Sequence, residues 1–173
     1  MKKIIVLSSI FIFLFLSAQI LSQQEMQKLR IGIFDSRCIA MAYGRTYHIK
    51  EMDSLKIKYA KAKEEGKKEL VEELERLGPT KQMLMHQQGF STGSILNIME
   101  KVKHKLSSIA KKNNVKLIVS KWEVMFSDES IELVDITDQL VEFFNPDEAT
   151  KKIIEEIKAM EPVPMEQVSE SSN

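Results

Sequence analysis

Residues 30–35 and 115–126 have the apolar, β-branched character of strands, and the roughly eighty residues between them read as charged helix. This spacing constrains the fold more than any other feature. A strand leaves its sheet on a long helical excursion and returns, which describes a small β body carrying helices that outgrow it. Within the excursion Ile49, Met52, Leu55, Tyr59, Ala62, Gly66, Leu70, Leu74 and Leu77 step by three or four residues, the spacing of a coiled-coil seam. A continuous helix over 37–77 would reach about 60 Å at 1.5 Å per residue. Its apolar stripe cannot be buried on a small body, so it must pair with another helix. Gly78-Pro79-Thr80 is the expected tip, with Thr80 capping the returning limb. That limb is interrupted at 89–94, expected as a kink or bulge that leaves Phe90 exposed. It resumes through Ile95, Ile98, Val102, Leu106 and Ile109 and ends at Lys111-Lys112-Asn113-Asn114, where the asparagines suit a left-handed terminator.

The flanking segments are shorter. Ile31 and Ile33 alternate with Gly32 and Phe34, and Asp35 or Ser36 can cap the helix that follows. Val115, Leu117 and Val119 share one parity while Trp122, Val124 and Phe126 share the other. A bulge, or two strands joined near Ser120-Lys121, accounts for the shift, with Trp122 and Phe126 in the core. After a turn at 127–130 and a strand to Val134, Asp135 or Thr137 caps a short helix through Phe144. Asn145-Pro146-Asp147-Glu148 is a helix start, with Asn145 as cap and proline first. Ile153, Ile157 and Met160 face inward from that helix. The Pro-, Ser- and Glu-rich residues 161–173 are expected to be disordered.

Lys2 and Lys3 followed by the apolar run 4–16 have the pattern of a secretory signal peptide over 1–22, cleaved after Ala18 or Ser22. The expected location is an extracytoplasmic space. Cys38 is the only cysteine, so an intramolecular disulfide is impossible and stability must come from packing or oligomerisation. The zero net charge conceals an asymmetry. Residues 45–113 hold 15 lysines and arginines against 9 acids, whereas 121–173 hold 4 lysines against 14 acids. Such a field could draw acidic partners or a membrane surface to the helices and repel them from the C-terminal end.

A search for chemistry returns little. His48, His86 and His104 lack metal-ligand spacing, and Met83 and Met85 beside His86 fit a helix seam better than a copper site. Asp135 and Asp138 could pose as paired carboxylates, but capping explains both. The sequence has no phosphate-binding glycine loop, no nucleophile elbow and no Cys/His pair. The lysines at 56–68 lack interleaved aromatics, which argues against nucleic acid. The expectation is a protein that is not an enzyme, with no catalytic residues, cofactor or metal.

The succession of a signal segment, the strand Ile31-Gly32-Ile33-Phe34-Asp35-Ser36, a long charged excursion and the closing stretch Val134-Asp135-Ile136-Thr137-Asp138-Gln139-Leu140-Val141 resembles the Skp/OmpH family of periplasmic chaperones over about 30–144. The resemblance implies an α+β fold: a small β body with a long antiparallel helical-hairpin (coiled-coil-like) arm and a C-terminal helix. On that pattern residues 23–160 form one domain, with body strands 30–35 and 115–134, the arm over 37–113 and C-terminal helices over 136–160. It further implies a homotrimer acting as a holdase, gripping unfolded outer-membrane or exported proteins between the arms, with at most peripheral membrane contact. Phe90 and the basic patch Lys101, Lys103 and Lys105 are the candidate client contacts. Three features depart from the family: the balanced charge of 23–173, the interruption at 89–94, and the acidic helix added after Phe144. They keep open an envelope scaffold that uses this helix and the 89–94 loop to dock one dedicated partner, or a ligand- or metal-binding protein.

Overall fold

The computed structural model describes residues 28–170, so the expected signal segment 1–22 lies outside the described residues. Strand β1 (Leu29–Phe34) is the middle of a three-stranded sheet, flanked by β2 (Leu117–Ser120) and β3 (Ile131–Asp135). Both neighbours run parallel to it, with Ile31 level with Leu117 on one side and Leu133 on the other. Parallel partners require crossovers. The helical excursion is the first, and residues 121–130 make the second with only a 3-10 turn at Lys121–Glu123. Gly32 permits close packing at the centre of the sheet. A Cβ there would sit 3.0 Å from Ile136 Cδ1 and 3.3 Å from Val115 Cγ2.

The body strand expected over 115–134 is therefore two short strands. The parity shift at Ser120-Lys121 marks where the chain leaves the sheet. Ser120 Oγ accepts the Trp122 N–H and the Trp122 indole donates to Asp35 Oδ1 at 3.1 Å, which turns the backbone away. Trp122 is half-buried, but Phe126, expected in the core, is 84% exposed.

Helix α1 (Ser36–Tyr43) opens as the sequence predicts, with Asp35 Oδ1 accepting the Arg37 N–H at 3.0 Å. A five-residue π-turn (Gly44–His48) carries it into α2 (Ile49–Glu64), and α3 (Lys68–Phe90) returns beside it. The pairing is antiparallel. Lys81 Nζ donates to Glu51 at 2.7 Å, and the Tyr59 hydroxyl donates to Glu75 at 3.0 Å.

The turn lies at Gly66, away from the expected tip at 78–80. Gly66 has φ +70°, its N–H donates to Lys63 O, and the Lys67 N–H donates to Ala62 O. This is a Schellman closure, in which a left-handed glycine satisfies the last helical carbonyls. Helix α3 runs straight through Gly78-Pro79-Thr80. Proline is tolerated there because the Glu75 carbonyl it leaves without a donor is on an exposed residue, open to water, and Thr80 Oγ1 donates to Arg76 O at 2.8 Å. Placing the turn at Gly66 predicts opposite signs for two alanine substitutions. Gly66→Ala is expected to destabilise by about 1 kcal/mol, since a Cβ is strained in left-handed backbone. Gly78→Ala, in a helix interior with no atom nearer than Met52 Cε at 4.0 Å, is expected to stabilise by about 0.5–1 kcal/mol. Thermal unfolding of the two variants checks the order, and a tip at 78–80 would reverse it.

The interruption expected at 89–94 is a full break, and it falls at 91–95, with Gly89 and Phe90 still in α3. Ser91 and Gly93 both donate their N–H groups to Gln87 O, and Gln88 Nε2 donates to Ser94 O and Asn97 Oδ1. Helix α4 (Leu96–Lys112) then packs on the body as a separate helix instead of completing an arm over 37–113. Its stripe of Ile98, Val102 and Ile109 is buried with Phe34, Ile39, Ile136 and Leu140. By contrast Ala62 is the buried side chain of α2, and Ile49 and Ile57 are exposed. The seam of the excursion is thus only partly covered, with Ala62 and Leu74 buried but Ile49, Gly66 and Leu70 exposed, while the later stripe is core.

Asn114 ends α4 in the left-handed region, φ +51°, as expected. Helix α5 (Thr137–Val141) follows β3, with Asp135 Oδ1 accepting the Thr137 N–H at 2.8 Å. After a 3-10 turn (Glu142–Phe144), Asn145 takes φ +49° and ends that turn instead of capping the next helix. Asp147 caps α6 (Glu148–Lys158) by accepting the Thr150 N–H at 2.7 Å. Where composition led to a disordered tail over 161–173, residues Met165–Glu170 form a short helix, α7, that packs on α3 and buries Val168.

Candidate interaction surfaces

The strongest electrostatic feature lies at the carboxyl end of β1. Asp35 and Arg37 are both almost fully buried, with Arg37 Nη2 2.8 Å from Asp35 Oδ2. Arg37 Nε and the Trp122 indole donate to Oδ1, and Lys121 Nζ reaches Oδ2 at 2.9 Å. Burial by itself would raise the Asp35 carboxyl. The hydrogen bonds from Arg37, Lys121 and Trp122 outweigh it and hold the group at about 2. The Arg37 guanidinium also lies 4.7 Å from the Trp122 ring centroid, and it donates to Met160 O and Ile157 O, capping the end of α6. The hydrogen bonds of this node are structural. It clamps the sheet, α1, the second crossover and the C-terminal helix together, and sequence inspection missed it because its members are scattered over 126 residues from Asp35 to Met160.

The four predicted contact residues do not form one patch. Phe90 is exposed at the end of α3, edge-on to His86, and its carbonyl accepts the Val163 N–H from the C-terminal segment at 2.9 Å. Lys101 and Lys105, one helical turn apart on α4, lie over the rings of Tyr43 and Phe143 at 5.5 and 4.8 Å. They roof an aromatic cluster in which Tyr43 stacks on Tyr47 and meets the edge of Phe144. Lys103 points elsewhere, exposed and paired with Glu100 at 3.0 Å. Nor are the 89–94 loop and the acidic helix free: the first carries buried Ser91, and the second packs Ile154 and Ile157 into the core.

The surface the sequence did not reveal is the second face of the sheet. Helices α1, α4 and α5 pack from one side. On the other, Leu29, Leu117 and Leu133 are exposed, with Ile31, Val119 and Ile131 partly so. The second crossover passes over this face loosely, leaving a cavity of about 440 Å³ between Ile31, Leu117, Leu133 and residues 124–127. Met125 and Phe126 project from it at 93% and 84% exposure. These side chains form one apolar patch around the cavity. The parity shift shared by Trp122, Val124 and Phe126 was the available signal.

Cys38 is buried near Ile154 O, and burial pushes its thiol up to about 12, which makes it an inert core group. Among the described residues, no group of three or more His, Cys, Asp or Glu is placed to hold a metal ion, and no helix is long and apolar enough to cross a membrane. No family model, curated protein or solved structure matches this chain.

Proposed function

We propose that this chain is a non-catalytic holding protein of the periplasm, which assembles through its sheet into a homotrimer and grips unfolded outer-membrane or exported polypeptides between its helix pairs. The loosely covered apolar sheet face, with Met125 and Phe126 projecting from it, is the observation that supports the reading. A three-stranded sheet covered on one side loses stability to water on the other, and burying Leu117, Leu133, Met125 and Phe126 against further copies would recover the hydrophobic contribution. Three α2–α3 pairs would then surround a common space. Ile49, Ile57, Leu70 and Leu84 are exposed on those helices, as are Phe90 at the end of α3 and Lys103 on α4. Each contact with a client is weak, and the confined space raises their effective concentration.

Light scattering on residues 23–173 is expected to give three times the chain mass. The double variant Met125→Asp/Phe126→Asp is expected to run as a single chain with unchanged helical circular dichroism, since both side chains are already in solvent. Wild type should suppress aggregation of an unfolded outer-membrane barrel at stoichiometric trimer, and the double variant should not. A monomeric wild type rejects the assembly, and an active monomer rejects its role in holding. A single stoichiometric partner in crosslinked pull-downs, in place of a spread of barrel proteins, would instead identify the scaffold that docks one dedicated partner.

A further inference from the structure

A second cavity, of about 510 Å³, lies on the side of the sheet that α4 covers, between the carboxyl ends of β1 and β2 and the start of α4. This volume falls in the range of small-molecule sites. Its position also matters: β1 has a parallel neighbour on each side, and ligands of open parallel sheets settle outside the strand ends where the connections diverge. The walls are Phe34, Met99, Leu106, Ile118 and Trp122.

Ser36, at the first position of α1, also lines the cavity. It is 3% exposed, and its Oγ has no hydrogen-bond partner among the described residues. Buried hydroxyls are nearly always paired, so an orphan in a cavity wall points to a partner that enters the cavity. Charge narrows the class of that partner. Glu123 is the one ionisable side chain in the lining, and the neighbouring Lys121 ammonium is held by Asp35. Among the described residues, no cationic side chain is therefore available in the wall for a carboxylate or phosphate.

We propose that this cavity binds a small uncharged molecule with an aromatic or aliphatic body and one hydrogen-bonding group. The body lies against Met99, Leu106, Ile118 and Trp122, and the polar group pairs with Ser36 Oγ. The site is independent of the assembly through the opposite sheet face.

Trp122 is the only tryptophan of the chain, so its emission reports on this wall. Titrating the purified protein with N-phenyl-1-naphthylamine, a neutral probe with a single N–H donor, is expected to quench Trp122 saturably at one probe per chain. Ser36→Ala removes a hydroxyl that has no protein partner, so its urea midpoint should match wild type while probe affinity falls roughly threefold to tenfold. The hydrocarbon 1-benzylnaphthalene, which lacks the N–H, should bind wild type and Ser36→Ala equally. Leu96→Glu, which charges the exposed rim, is expected to weaken the probe about tenfold or more. Met125→Asp on the far face should leave binding unchanged. Absence of 1:1 quenching, wild-type affinity in both Ser36→Ala and Leu96→Glu, or loss of binding in Met125→Asp would each overturn the proposal.

Discussion

Arg37→Ala is expected to destabilise the protein by about 3–5 kcal/mol, read as a lower urea midpoint at pH 7. The substitution removes one member of a buried ion pair and strands the other. Asp35, 1% exposed, would keep only Lys121 and the Trp122 indole as side-chain donors from outside its own helix cap. The carbonyls of Ile157 and Met160 would lose the guanidinium that closes α6. Arg37→Lys is expected to recover little, because one ammonium cannot reach the carboxylate and two carbonyls in the planar pattern of the guanidinium.

Acid dependence gives a separate reading of the same node. Asp35 is held at about 2 in the fold against an ordinary value of 3.8. A depressed carboxyl contributes stability above its unfolded value and loses it as pH falls through the folded one, here between about pH 4 and pH 2. The difference amounts to about 2 kcal/mol. Wild type should therefore lose stability across this window, and Arg37→Ala should lose less, having given up part of the contribution already at pH 7. An Arg37→Ala variant with the wild-type midpoint at pH 7 would rule out the clamp.

Ile98→Ala is expected to cost about 2–5 kcal/mol, the range for a large aliphatic side chain truncated in a packed core. Ile98 is wholly buried between α4 and the body, in one cluster with Phe34, Ile39, Ile136 and Leu140. Ile57→Ala, at a residue 71% exposed on α2, should change stability by no more than about 0.5 kcal/mol. Ile57 lies off the heptad seam and serves as the surface control. With α4 packed on the body the two substitutions differ several-fold in a denaturant titration. An Ile98→Ala midpoint equal to that of Ile57→Ala would reject the burial of α4.

Ends and caps were the most legible parts of the fold. Asp35 capping α1, Asn114 in left-handed backbone and Asp135 bonded to the Thr137 amide all follow from side-chain chemistry within a few residues. The turn at Gly66 was equally local, with lysines at 61 and 63 before a glycine, but the heptad count absorbed that glycine into a seam. Gly78-Pro79 drew the tip instead. A proline inside a helix frees one carbonyl and crowds the preceding turn, and on α3 the freed carbonyl belongs to an exposed residue, so the helix continues through it. Asn145 lost its capping role to Asp147 for a comparable reason: a 3-10 turn had already claimed it.

The candidate contacts fared differently because each depends on what lies across from it. Lys101, Lys103 and Lys105 alternate along the sequence, yet helical geometry sends Lys101 and Lys105 over aromatic rings and Lys103 to Glu100. The sheet face was hidden for the same reason. Leu29, Ile31, Leu117, Ile131 and Leu133 come from three separate segments, and their common exposure exists only once β1 is placed between β2 and β3.

By itself the sequence determined the mixed helix-and-strand character, the helical excursion between strands and several helix caps, since these rest on periodicity and short-range hydrogen bonding. Only the tertiary structure decided which stripe became core, where the excursion turns, and that Asp35, Arg37 and Trp122 meet. Those outcomes depend on competition among apolar surfaces and on pairings between residues far apart in the chain. Local pattern cannot rank such competitors, because burial energy belongs to the pair of surfaces that meet.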